Sequence, residues 1–266
     1  MKKILLVLLL TGFTLFLAAH EFWLDPGTYY YKKGDVLKLK FLVGEDFNGE
    51  NWTGNDTKVN TLVLHRDSGY SHSIAKLVSA AKGDSLSIPL EQDGTQMICF
   101  NSNNSFISLP AKEFNAYLAE DQLTDALSYR QKNRENDSTG REFYQRSVKT
   151  IFQVGTRFTS TASNKTGLPL DIIPLSNPYQ LKEDDSLSVR VLFRGELLRN
   201  QFMVVWHRNR SIFLKVQYRT DANGEIRFPV MPRSRWMVST VKMVRLEKAA
   251  GADWQSYWGS LTWGYN

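Results

Sequence analysis

The sequence predicts a mainly β protein with two antiparallel β-sandwich domains and a helical hairpin inserted between them. Apolar residues alternate with polar ones in two separate regions, before Leu109 and after Thr150, which is typical of half-buried strands. Clusters of Gly, Asp and Asn separate the alternating runs. Between the two regions the apolar residues recur at helical spacing. The predicted domains are residues 20–109, the hairpin at 110–150, and residues 151–266.

The N-terminal region shows the alternation most clearly in Val36–Val43, where every second residue is apolar. Three shorter runs follow at the spacing of an antiparallel sandwich, namely Thr61–His65, Ser85–Leu90 and Gln96–Phe100. The C-terminal region repeats the pattern in Leu187–Phe193. We therefore predict a buried face on each of these strands.

The segment between the two β regions has the periodicity of helices. Phe114, Tyr117 and Leu118 share one helical face, and Leu123 to Arg130 continues that period. After a polar break, a second helical stretch is predicted to hold Phe143, Tyr144, Val148 and Ile151. Such a hairpin could act as a lid or arm, or it could simply cover a sheet edge.

The first 19 residues have the pattern of a secretory signal. Lys2 and Lys3 precede the apolar run Ile4–Leu17, and Ala18-Ala19 supplies small residues at the cut. The run is short for a membrane span, which needs about 20 residues. We expect cleavage before His20 and a soluble, exported, periplasmic protein with no stable membrane anchor.

Composition excludes several classes of function. Hydrophobic residues make up 42% of the chain, which is enough for packed cores. Removal of Lys2 and Lys3 lowers the formal charge from +6 to +4, too weak a basic balance to indicate nucleic-acid binding. Cys99 is the only cysteine, so no disulfide forms within one chain, and its apolar neighbours indicate a buried thiol.

Cleavage after Ala19 would make His20 the first residue of the mature chain. Its α-amine and imidazole could together chelate a borderline metal such as copper, nickel or zinc. His65 and His72, which flank a predicted hairpin tip, are the candidate partner ligands, and His207 is a weaker one. The alternative is that a peptidase cuts before a histidine with no further role, and that the other three are ordinary polar residues.

Two further clusters have competing interpretations. His207 lies beside Arg199 and Arg210, which could form an anion-binding edge or a solvated strand end. Aromatic residues crowd the C-terminus, including Trp254 and Trp258, and could stack on sugar rings or fill a core. Enzyme motifs are missing from the sequence: it has no Gly-x-Ser-x-Gly, no phosphate loop, no His-Glu-x-x-His and no Cys-x-x-Cys. We therefore predict a protein that is not an enzyme.

Four stretches of the chain together resemble one family of exported bacterial proteins. They are His20–Leu24, Gly167–Pro174 with Asn177-Pro178-Tyr179, the turn Thr220–Gly224, and Asp253–Thr262. In this combination the chain resembles the family called domain of unknown function 4198, which is related to accessory components of nickel and cobalt uptake. The resemblance implies a β-rich periplasmic protein whose second half is a prealbumin-like or carboxypeptidase-regulatory-like sandwich.

One position departs from the pattern that the resemblance implies. Family members often have His-Met where this chain has Lys242-Met243, and a lysine ammonium has no lone pair to offer a metal. His20 would then need a histidine from elsewhere or a carboxylate such as Glu21 or Asp25.

Three functional hypotheses follow. The leading one is a periplasmic, non-enzymatic binding protein that handles a divalent transition metal, nickel, cobalt or copper, or assists metal-transporter components in the inner membrane. The second is a structural or surface-interaction module, with glycans as one class of ligand. The third is a copper oxidase of the histidine-brace kind, which requires a second histidine beside His20.

Overall fold

The computed structural model describes residues 21–52, 56–67, 71–77, 85–210, 212–231, 233–247 and 251–265. The predicted signal peptide, residues 1–19, and His20 lie outside the described residues. Helix within the described ranges is confined to short segments, none of them long and apolar enough to cross a membrane.

A ten-stranded sheet forms the centre of the molecule. Its strands are β2 Tyr30–Tyr31, β5 Val59–His65, β6 Ser71–Ser73, β8 Gly94–Ser102, β9 Ser105–Leu109, β10 Gly140–Val154, β14 Phe202–Arg208, β15 Phe213–Arg219, β17 Arg235–Arg245 and β18 Trp254–Gly264. Their order is β15-β14-β17-β18-β10-β8-β5-β6, and β2 and β9 also pair with β10. Strand β10 runs parallel to β18 and β2, and the other pairs are antiparallel.

Two smaller antiparallel sheets complete the β structure. One contains β1 Glu21–Asp25, β3 Val36–Glu45, β4 Asn48–Asn51 and β7 Leu86–Pro89. The other contains β11 Leu170–Pro174, β12 Ser186–Phe193, β13 Glu196–Leu197 and β16 Glu225–Pro229. Short 3-10 helices lie at Asp56–Lys58, Ser160–Ser163 and Pro178–Gln180.

The two smaller sheets cover opposite faces of the central sheet. Successive residues of a strand point to opposite faces, and here they enter different cores. Ile98 and Phe152 pack with Leu37 of the β1 sheet, whereas Met97 and Ile151 pack with Val189 of the β12 sheet. We call the side under the β1 sheet face A and the side under the β12 sheet face B. The predicted mainly β, sandwich-type fold is confirmed.

The helical prediction is half right. Helices α1 (Ala111–Glu120) and α2 (Thr124–Lys132) occur where the first period predicted them, and they pack on face A beside the β1 sheet. The second predicted helix, from Phe143 to Ile151, is wrong because those residues belong to β10. A strand buried on both faces shows no alternation, so its apolar residues can imitate a helical period.

The predicted domain limits stay a prediction. Strand β10 crosses the limit predicted at residue 150, and it pairs with β8 from the first half and β18 from the second. The two cores therefore lie on one shared sheet.

A buried ion pair joins face B of the central sheet to strand β11 of the β12 sheet. Lys149 Nζ lies 2.6 Å from Asp171 Oδ1, and the two side chains are only 1% and 3% exposed. Asp171 Oδ2 accepts a second hydrogen bond from the Thr166 amide at 2.8 Å. Both carboxylate oxygens therefore have a hydrogen-bond partner.

We expect Asp171→Asn to lower the free energy of unfolding by about 3 to 5 kcal/mol, because it leaves the Lys149 ammonium buried and unpaired. Urea denaturation measures the change. Glu225→Gln, in the more exposed Arg190–Glu225 pair, is the matched control and should cost less than about 1 kcal/mol. Equal costs for the two variants would contradict the assigned role of burial.

Candidate functional site

The N-terminal strand is fixed to face A by hydroxyl groups of the C-terminal strands. Ser260 Oγ donates to the Phe22 carbonyl at 2.6 Å, and Thr262 Oγ1 donates to the Leu24 carbonyl at 2.9 Å. Strand β1 pairs through its backbone with β3, so these hydroxyls satisfy carbonyls that would otherwise be buried without a partner. Two of the four family-like stretches, one at each end of the chain, therefore meet here.

The first side chain of β1 enters a polar site on face A. Ser239 Oγ donates to Glu21 Oε1 at 2.8 Å. Burial raises the pKa of the Glu21 carboxyl to about 7, although the Ser239 hydrogen bond and the Lys215 charge lower it. Glu21 follows His20 directly in the sequence.

A second carboxyl group approaches from the helical layer. Asp121 is the residue that ends α1. Burial raises its pKa well above the ordinary value, and the charges of Glu21, Glu120 and Glu142 raise it further while Lys215 lowers it. Its Oδ2 atom is buried and has no hydrogen-bond partner among the described residues. Such an orphaned oxygen is costly and therefore indicates a proton or a ligand.

A third carboxyl group, Glu142 at the start of β10, is 2% exposed. Its Oε1 accepts hydrogen bonds from Tyr117 Oη at 3.2 Å and from Ser256 Oγ, while Oε2 has no partner within the described ranges. Trp258 Nε1 in turn donates to Ser256 Oγ at 3.0 Å. Burial raises the pKa of Glu142 to about 7, against the lowering effect of these hydrogen bonds.

Glu21, Asp121 and Glu142, which we call the face A carboxyls, share one electrostatic property. Each has a raised pKa caused mainly by burial, and Lys215 is the cation that offsets this for Glu21 and Asp121. A carboxyl group in this condition takes up a proton near neutral pH or favours a bound cation. The site can therefore store protons or hold a cation.

His65 and His72 lie on one hairpin but face opposite ways. His65 pairs with Ser71, whereas His72 pairs with Leu64, so the two imidazoles project from opposite faces of β5 and β6. Burial and the charge of Lys149 lower the pKa of His65. Strands β5 and β6 are four and five positions from β17 in the central sheet, or roughly 19 to 24 Å at the usual spacing.

His207 is a core residue of β14. It is 2% exposed, its Nε2 lies 2.7 Å from Ser234 Oγ, and its ring centroid is 4.5 Å from that of Trp236. Burial lowers its pKa. The structure does not bring His207 together with His65 or His72, and no group of three metal-binding side chains occurs within the described residues. The assignment of these three histidines as ligands stays a prediction.

Lys242 contacts the helical layer. Its Nζ lies 3.9 Å from Asp125 Oδ2 of α2, and Asp125 is largely exposed. An exposed pair at this distance contributes little stability.

Sequence reasoning missed Asp121, Glu142 and Ser239 as members of the site. One signal was present in the sequence: Ser256, Ser260 and Thr262 lie among apolar and aromatic residues. The structure shows that this stretch is β18, which is buried along its full length. Hydroxyls in a fully buried strand require partners, and two of these partners are carbonyls of β1.

Comparison with known families gives one match. The family model described as "Domain of unknown function (DUF4198)" matches residues 17–243. No curated protein matches the chain.

Among solved structures, a mutant alpha-2-macroglobulin of Salmonella is similar at 13% identity with a TM-score of 0.27, over 93% of this chain and 15% of that one. The chain thus spans about 15% of the length of the Salmonella protein. The D0-D1 domain of intimin is similar at 11% identity and a TM-score of 0.18, over 92% of this chain and 97% of the other.

The raised pKa of Glu142 predicts a specific pH dependence of stability. Because the folded pKa is about 7 and the ordinary value is 4.5, the neutral carboxyl favours the folded state below pH 4.5, and this contribution is lost as the pH rises to 7. We expect Glu142→Gln to be more stable than the wild-type chain at pH 8, by up to about 3 kcal/mol. The advantage should shrink as the pH falls from 7 to 4.5.

Urea denaturation of both proteins from pH 4.5 to 8 measures this difference. Glu91→Gln removes an exposed carboxyl and is the control, which should show no such trend. A Glu142→Gln difference that is the same at every pH would contradict the predicted titration.

Proposed function

We propose that this chain, which belongs to the DUF4198 family, is an exported, non-enzymatic binding protein for a divalent transition-metal ion. The ligands would be the α-amine and imidazole of His20 together with the carboxylates of Glu21 and Asp121. Handing the metal to inner-membrane transporter components is the corresponding biological role.

The observation that carries the proposal is the orphaned carboxylate oxygen of Asp121 in the electrostatic field of Glu21. Nitrogen donors with carboxylate oxygens suit nickel, cobalt, copper and zinc. The chain's own residues would act in two ways. Ser239 orients the Glu21 carboxylate through its hydrogen bond, and the half-buried position of Glu21 and Asp121 limits the competition of water for their oxygens.

The structure also affects which partner ligands are feasible. His20 precedes Glu21 by one residue, which spans about 3.8 Å, and Glu21 contacts β17. His65 and His72 belong to strands roughly 19 to 24 Å away. Carboxylates of the helical layer are therefore better placed to complete a His20 site than either histidine.

Titration calorimetry with Ni²⁺, Co²⁺ and Cu²⁺ on the chain that begins at His20 tests the proposal. His20→Ala, and a chain with one extra residue before His20, should each bind at least about 10-fold more weakly. Glu21→Gln and Asp121→Asn should weaken binding by a similar factor. Affinity should fall as the pH drops below about 7, because protons compete for the Glu21 carboxylate and the imidazole.

His72→Ala is the matched control, since it removes an exposed histidine far from β17 and should leave the affinity unchanged. Lys242→His tests whether a histidine at that position joins the site, and tighter binding would place it there. Equal metal affinity in the His20→Ala variant and the unmodified chain would refute the proposal.

A second candidate is a module that pairs with a strand of another chain. Strand β15 is an end strand in the order of the central sheet, and its Leu214 and Val216 are exposed by 43% and 44%. An apolar edge strand invites pairing with another copy of the chain.

Light scattering during size-exclusion chromatography should then show dimers at high protein concentration. Val216→Lys should abolish these dimers, because a charge on the edge opposes strand addition. Gln217→Lys, which adds the same charge on the opposite face of β15, is the control for charge alone. A monomer at every concentration would remove this candidate.

A further inference from the structure

A second concave site lies on face B, at the end of the molecule where the β12 sheet meets β10 and β18. It is a cleft of about 540 Å³. Its floor and walls come from Gln145 and Tyr257, which are paired neighbours on β10 and β18, from the segment that leads into β11, and from the β12–β13 turn. Two family-like stretches, Gly167–Pro174 and Asp253–Thr262, therefore meet in this cleft.

The cleft combines apolar walls with two cations. Leu168, Pro169, Leu192 and the Tyr257 ring supply apolar surface, and Lys165 and Arg194 supply positive charge. Asp171 also lines the cleft, but Lys149 neutralises its charge and its two oxygens are already bonded. The net field inside is therefore positive, which favours an anion.

Arg194 is held in place at a conformational cost. Phe193 and Glu196 are paired, so Arg194 and Gly195 form a two-residue turn with φ of +52° and +88°. Asn, Asp or Gly is favoured at the first position of such a turn, and a long side chain with positive φ costs about 1 to 2 kcal/mol in general. A strained residue of this kind, aimed at a cleft, points to a function.

The Arg194 guanidinium is oriented by a contact with Tyr257 that occupies only part of its N–H donors. Its Nη2 donates to Tyr257 Oη at 2.7 Å, and the group lies 5.4 Å from the centroid of the Tyr257 ring. No other hydrogen bond from this guanidinium occurs within the described ranges, so further N–H donors are available for a carboxylate. Lys165 likewise has no ion-pair partner in the described part of the chain.

We propose that this cleft binds a small organic carboxylate with an apolar body, with the carboxylate on Arg194 and Lys165 and the apolar part against Leu168, Leu192 and Tyr257. The cleft is on the opposite face of the central sheet from Glu21, so this inference does not rest on the metal site. A volume of about 540 Å³ is in the range of small-molecule sites.

The test uses hexanoate, phenylacetate and 3-phenylpropionate as probes in titrations followed by two-dimensional NMR. At least one should bind with a dissociation constant of about 1 mM or lower and shift the amides of Gly167 and Gly195. The matching primary amides and acetate should bind at least about 10-fold more weakly, because each lacks either the charge or the apolar body.

Arg194→Asn provides the sharpest variant, because asparagine relieves the turn while removing the cation. It should keep or raise the melting temperature and lower the affinity for the tightest probe at least about 10-fold. Arg233→Asn is the matched control: Arg233 is also exposed with a positive φ of 60° but does not line the cleft. It should bind the probe like the unmodified chain.

Three results would overturn the proposal. One is the absence of saturable binding for all three carboxylates up to about 20 mM. Another is an equal affinity of Arg194→Asn and the unmodified chain. The third is equal binding of a carboxylate and its amide, which would show that the cations have no part in recognition.

Discussion

Burial of one sheet on both faces is the constraint on which the rest of this structure depends. A central strand of such a sheet must satisfy its backbone through neighbours on both edges, and its side chains must fit two different cores. Strand β10 has neighbours along both edges, with β8 and β9 on one side and β18 and β2 on the other, and its second half is buried on both faces. The two smaller sheets and the helices are then layers that cover the two faces, and every candidate site lies where such a layer ends.

The same constraint explains which parts of the fold could be predicted from the sequence. Strands with one face toward solvent, such as β3, show a period of two, and the sequence predicted them. Strand β10 has the burial pattern of a two-sided strand along its second half, so Val148 and Ile151 enter opposite cores. No period separates such a segment from a buried helix. Whether such a segment becomes a strand or a helix depends on whether a neighbouring strand pairs with it, and pairing depends on the fold of the whole chain.

The candidate site was accessible from the sequence only at its N-terminal end. His20 is predicted because it follows the predicted signal, and Glu21 is predicted as a carboxylate, like Asp25, that could complete its site; the structure shows Glu21 half-buried beside Ser239. The interaction of Asp121 with Glu21 and with Glu142 could not be predicted, since it depends on where α1 ends and on the register of β10 with β18. The histidines illustrate the reverse case. Nearness in sequence suggested that His65 and His72 share a site, but the parity of the hairpin separates their side chains.

The polar groups buried on the two faces differ in a way that bears on function. On face B, Lys149 and Asp171 neutralise each other, and the Thr166 amide completes the carboxylate. That arrangement is internally balanced, so it needs no further ligand to be stable.

On face A, three carboxyl groups have raised pKa values, and Lys215 offsets only two of them. Ionisation of all three therefore destabilises the fold until protons or a cation compensate. A cation that binds the folded state adds stability that grows with the logarithm of its concentration once that exceeds the dissociation constant. Under the proposed metal binding, face A is for this reason the face on which binding and folding would be coupled, whereas the carboxylate proposed for the face B cleft would have little effect on the charge balance of the core beneath it.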